Sequence, residues 1–214
     1  MTITPDERAG SATGLLLERA DAAASASPDQ AVALYRELLQ AIPDHTEARL
    51  HLARLLERNG ELEDAVRTLS TGLRWTPEET ELLLLRGSLL GRLRRYREGE
   101  ADLRNVLRLH PSHGPAHFEL GQLLWRKGLA SEAATHFTKS LEYQPGNGRA
   151  FYYLAEALNM MGDLAGANAA LERALEATPQ DGKAFHLRGR VLDRLGRPDE
   201  ARQMYQRSKE LQDL

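Results

Sequence analysis

The stretch GRAFYYLAEALNMMGDLAGANAALERALEATPQD, residues 148–181, decides the fold. Phe151, Leu154, Ala155 and Leu158 fall at i, i+3, i+4 and i+7, which is one face of a helix. MGD follows, and Gly162 suits the left-handed position that ends a helix. Ala167, Leu171, Ala174 and Leu175 mark a second apolar face. Pro179 then stops the second helix, because its ring and missing N–H cannot continue one past the first turn. The stretch therefore reads as two antiparallel helices joined by a tight turn.

The same pattern recurs along the chain. Pro43, Pro77, Pro111, Pro145 and Pro179 are each 34 residues apart. Small residues keep the beat at Ala53, Gly87, Gly121, Ala155 and Gly189, and again at Ala31, Ala65, Gly99, Ala133, Ala167 and Ala201. Large residues keep it at Tyr35, Leu69, Leu103, Phe137, Leu171 and Tyr205. Small residues recur where two helices cross closely, since bulk there would push the axes apart. Gly60, Gly128 and Gly196 repeat the turn, whereas Arg94 stands where a further turn glycine is expected.

On these residues the chain resembles the tetratricopeptide repeat, a 34-residue helix-turn-helix unit. The match is fullest over 114–147, with Leu120-Gly121, Leu124, Gly128, Ala133, Phe137 and Pro145. Arg86-Gly87 and Arg188-Gly189 replace Leu-Gly. The resemblance implies an all-α fold, a right-handed superhelical solenoid of antiparallel helix pairs. The expected organisation is a disordered arm over 1–11 followed by a single array over 12–214. Its repeats run 46–79, 80–113, 114–147, 148–181 and 182–214, preceded by a degenerate capping unit at 12–45 that keeps its second helix but lacks the Leu-Gly pair.

Composition narrows the function. The chain is 42% hydrophobic and 28% charged, as soluble folded proteins are. Its net charge of -3 supplies no global attraction to nucleic acid or an anionic membrane. No cysteine is present, which removes thiolate chemistry. No apolar run is long enough to span a bilayer, and the N-terminus lacks the apolar segment of a secretory signal. A cytoplasmic protein is expected, from an Arg-rich, Ala-rich and so bacterial coding style. No phosphate loop, nucleophile elbow or HExxH appears, so no catalytic residue is named and no enzyme or cofactor is expected.

Two features invite chemistry. RLHPSHGPAHFELG (108–121) holds His110, His113 and His117 at zinc-like spacing. The period instead places His113 in a turn and His117 in the slot of Phe151 and Phe185, so no metal is assigned. RLRRYRE (92–98) is the most basic run, but aromatics are not interleaved beyond Tyr96, so nucleic acid is not the expected partner class.

The resemblance implies that the first helix of each pair, helix A, lines a concave groove. Four positions per repeat face it. One column reads Leu50, Leu84, Phe118, Tyr152, His186, and its apolar stripe from Leu50 to Tyr152 is expected to be exposed until a partner covers it. The next reads Arg54, Ser88, Gln122, Glu156, Arg190, and another includes Trp125 and Asn159. A further column adds Arg149 and Lys183. Phe118, Trp125 and Tyr152 are the expected aromatic anchor. Trp75, near the end of a second helix, is expected in the core. The Lys and Asn pattern with which some members clamp a terminal carboxylate is missing; the equivalent slots hold Leu50, Arg54, Leu85, Arg149 and Tyr153. The expected function is a non-enzymatic scaffold or adaptor that binds a protein or peptide segment in the groove. The alternative is self-association, as dimer or polymer, through an uncapped last helix bearing Met204, Tyr205, Leu211 and Leu214.

Overall fold

The computed structural model describes the backbone of residues 5–212 and the side chains of residues 13–211. Among the described residues every regular element is a helix: α1 (Pro5–Ala26), α2 (Pro28–Ala41), α3 (Thr46–Arg58), α4 (Leu62–Gly72), α5 (Thr80–Arg92), α6 (Tyr96–Leu109), α7 (Gly114–Arg126), α8 (Ala130–Tyr143), α9 (Gly148–Met161), α10 (Leu164–Ala177), α11 (Gly182–Arg194) and α12 (Pro198–Gln212). The all-α helical-repeat class is thus what the chain adopts. The arm expected over 1–11 falls on the first turns of α1 and on residues 1–4, which lie outside the described residues.

Local chemistry sets the helix ends. His45, His113, Asn147, Asp163 and Asp181 each accept a hydrogen bond from a backbone N–H of the following first turn, which satisfies one of the donors a helix start leaves orphaned. The turns inside the pairs pass through the left-handed region at Gly60, Gly128, Gly162 and Gly196. Arg94 takes the same conformation at φ 60°, so the period imposed a turn that the side chain does not favour.

The chain forms two compact units, residues 1–106 and 107–214. In the first, α3 packs against α1, α2, α4 and α5 around Tyr35, Leu38, Leu55, Leu56 and Leu69. The Asp21 carboxylate of α1 accepts from Tyr35 of α2 and pairs with His51 of α3 at 2.7 Å. In the second, neighbouring helices from α7 to α12 pack in chain order around Leu120, Leu123, Phe137, Leu171 and Val191. Gly121 lets α8 approach, since a Cβ there would stand 2.7 Å from the Phe137 ring. No described helix is long and apolar enough to cross a membrane.

Candidate functional site

The helix A columns are only partly open. In the first unit Arg54 is exposed and Leu84 half-buried, but Leu50 is 6% exposed. In the second, Phe118 is 6% and Gln122 4% exposed, and Asn159 is buried. The exposed apolar row expected from Leu50 to Tyr152 is therefore corrected at Leu50 and Phe118. The reason is packing between successive pairs. Phe118 meets Phe137 of its own pair at 6.0 Å and Tyr153 of the next at 5.9 Å, and the Arg149 guanidinium lies 5.3 Å over its ring. Asn159 is held by Arg194 of α11, which donates to its backbone carbonyl at 3.1 Å and to its side-chain oxygen.

Tyr153 is the hub that the column reading missed. Its ring touches Trp125 at 5.6 Å, Phe137 at 5.8 Å and Tyr152 at 5.4 Å, besides Phe118. The adjacent pair Tyr152-Tyr153 was the available signal: two neighbours on a helix face different ways, so one must turn toward the preceding pair. Trp125 is half-buried, and among the described residues its indole N–H has no acceptor; neither does the Gln122 amide N–H one turn before it. The Tyr152 hydroxyl donates to Glu156 at 3.1 Å, and burial first, then the Glu156 charge, pushes its pKa up.

In the second unit, what stays open lies on α9 and α11. A cavity of about 540 Å³ is lined by Arg149, Tyr152 and Tyr153 of α9, by Gln180, Asp181, Gly182 and Lys183 at the start of α11, and by Leu211 of α12. His186 and Arg190 are exposed further along α11, and His186 lies 5.4 Å from the Tyr205 ring. The cavity thus combines two aromatic walls with two cations and the Asp181 carboxylate, a net surplus of one positive charge and a setting for an amphipathic segment.

Trp75 is 60% exposed, not core. α4 ends at Gly72, three residues before Trp75, whereas Tyr143 in the same slot is the last residue of α8 and is also exposed, so the slot faces outward whether or not the helix reaches it. The histidines resolve singly. His113 caps α7 through Nδ1, at 3.1 Å from the Ala116 N–H. His117 is buried, with Nε2 donating to the Pro111 carbonyl at 3.0 Å and Nδ1 2.9 Å from Nδ1 of His136. In the basic run, Arg92 pairs with Glu57, and Arg95 pairs with Glu98 at 2.8 Å and Glu63 at 3.2 Å.

The tetratricopeptide repeat sequence profile matches residues 22–89, 124–191 and 159–213, and a second profile of that description matches 84–142. The chain belongs to the tetratricopeptide repeat family. Its fold is shared with solved structures of low identity. PilW, described as a widely conserved type IV pilus biogenesis factor, is 21% identical, with 90% of each chain covered and a TM-score of 0.82. PilF of Pseudomonas aeruginosa is 18% identical, with 95% of this chain and 93% of that one covered and a TM-score of 0.80. YrrB, described as a tetratricopeptide repeat protein with an unusual peptide-binding site, is 18% identical, with 84% and 92% covered and a TM-score of 0.65. No curated protein matches the chain.

Proposed function

We propose that this tetratricopeptide repeat protein is a non-enzymatic cytoplasmic adaptor that binds a segment of a partner protein on the helix A face of its second unit. The observation that carries this is the cavity between α9 and α11, where Tyr152 and Tyr153 offer apolar walls beside the Arg149 and Lys183 cations. Aromatic walls supply most of the binding energy at such sites, and flanking charge sets orientation. The fitting partner is a segment with an apolar or aromatic anchor and an acidic flank. Peptide binding by YrrB, as its description has it, is in keeping with this class of ligand.

The test is capture from lysate with two baits, the wild type and Tyr152→Ala/Arg149→Glu/Lys183→Glu, matched for helicity by circular dichroism. A protein retained by the wild type alone, and competed by its own anchor segment, is the expected result. Equal capture by both baits removes the cavity from the account. Self-association has one supporting observation, the half-buried Met204, Tyr205 and Leu211 on α12; Leu214 lies outside the described residues. Light scattering across a concentration series reads it directly.

A further inference from the structure

The first turn of α3 carries a buried cation that no carboxylate among the described residues neutralises. Arg49 is 4% exposed. Its guanidinium donates to the Thr68 carbonyl at 3.2 Å and to the Pro43 carbonyl, both neutral acceptors. Burial pushes its pKa down, yet a guanidinium keeps its proton at any pH where a protein folds. A buried charge without a counter-ion is costly, so its retention calls for a reason. The seat is shaped for it: a Cβ on Gly72 would lie 2.2 Å from the Arg49 Cδ.

Two other arginines that bridge helices of this chain, Arg86 and Arg188, are neutralised from within. Arg86 makes a two-pronged bond to Asp102, 2.7 Å from each oxygen, and reaches Ser70 at 3.1 Å. Arg188 bonds Glu172, and Asn168 at 3.1 Å. Thr68 occupies the Asp102 slot one 34-residue period earlier, so the joint around Arg49 has a hydroxyl where the next joint has a carboxylate.

Arg49 lines a cavity of about 390 Å³ framed by α2, α3 and α4. Arg36 of α2 and Arg67 of α4 line it too, together with Thr68, Thr71 and a single acid, Asp64. Arg67 is bonded to Asp64, whereas Arg36 pairs with no described residue. Three guanidinium groups against one carboxylate leave a surplus of two positive charges. On α3, Arg49 lies on the face away from Leu50 and Arg54, so this cleft is separate from the helix A columns.

We propose that the cleft binds a dianionic phosphoryl group, with the Arg49 fork at its base and Arg36 and Arg67 at its rim. A dianion matches the surplus, where a carboxylate would leave one charge over, and planar guanidinium forks are suited to phosphate oxygens. The group can be borne by a small metabolite or by a phosphorylated side chain, which share this chemistry.

The full chain is titrated calorimetrically at fixed ionic strength with inorganic phosphate, with acetate and with a phosphoserine tripeptide. Saturable phosphate binding is expected, with acetate weaker by about tenfold or more. Arg36→Ser/Arg67→Ser alters only exposed rim residues, so the fold persists; it weakens phosphate by about tenfold or more. A tripeptide that binds much more tightly than phosphate assigns a phosphorylated side chain, and one that does not assigns a small molecule. Absence of saturable phosphate binding, acetate binding equal to phosphate, or equal affinity in wild type and rim variant overturns the proposal.

Discussion

Arg49 and His117 occupy the same slot of the 34-residue period, the one that holds Leu83, Phe151 and Phe185 elsewhere. Both are buried polar residues in an apolar column, and both reach back to the carbonyl of the period proline, Pro43 or Pro111. Their outcomes differ. His117 can shed its charge: burial pushes its pKa below the ordinary imidazole value, with the Pro111 bond opposing. With Nε2 donating to Pro111, the neutral ring accepts at Nδ1 from His136, and Tyr143 stacks on it at 6.0 Å. Arg49 has no neutral state to fall back on. The histidine joint is closed by its own neighbours, and the arginine joint is completed by an anion from outside. One period position can thus be structural in one repeat and binding in another, according to whether its side chain can discharge.

The largest expected effect comes from making a second joint resemble that of Arg49. Asp102→Ala strands the Arg86 guanidinium and costs about 2–3 kcal/mol, measured by urea unfolding; the full figure for a buried pair is reduced because Arg86 keeps some exposure. A loss below about 0.5 kcal/mol would mean that such pairing does not distinguish the joints. Thr68→Asp is the converse exchange. It gives Arg49 the carboxylate of the next period, raises stability by about 1 kcal/mol and removes the phosphate response. Arg94→Gly relaxes a left-handed residue outside both joints, adds about 0.5–1 kcal/mol and leaves phosphate binding unchanged, which calibrates the other two.

The smallest effect is in pH. His117 holds a depressed pKa when folded, so its favourable contribution is complete above the unfolded imidazole value of about 6.5 and declines as pH falls through that range. Stability of the second unit therefore drops on mild acidification, and His117→Phe, which restores the apolar column, flattens part of the drop. A steeper profile in the variant would contradict the neutral assignment. His113, also lowered by burial and then by His110, adds in the same direction.

Much of the fold was legible because the period is written in residues that act locally. Pro179 stops a helix and Gly162 turns the chain whatever surrounds them. Arg94 kept the left-handed turn of its column although its side chain opposes it. The site was less legible, because a column fixes where a residue sits on its own helix and not which neighbour covers it. Phe118 and Leu50 are in the named columns and buried all the same, while Trp75 shares with Tyr143 a slot at the end of the second helix that no neighbour covers. The Arg49 cleft escaped because its lining comes from three helices, although one trace was in the sequence: a charged residue in the column of Leu83, Phe151 and Phe185.

The adaptor reading is tested most directly by placing a photo-crosslinking residue at His186, exposed beside the α9–α11 cavity, and separately at Thr71, on the rim of the Arg49 cleft. Each protein is illuminated with the captured partner. The account predicts a crosslink from position 186 that Tyr152→Ala abolishes, with none from position 71 in phosphate-free buffer. A crosslink from position 71 alone, or one from 186 that survives Tyr152→Ala, would contradict it.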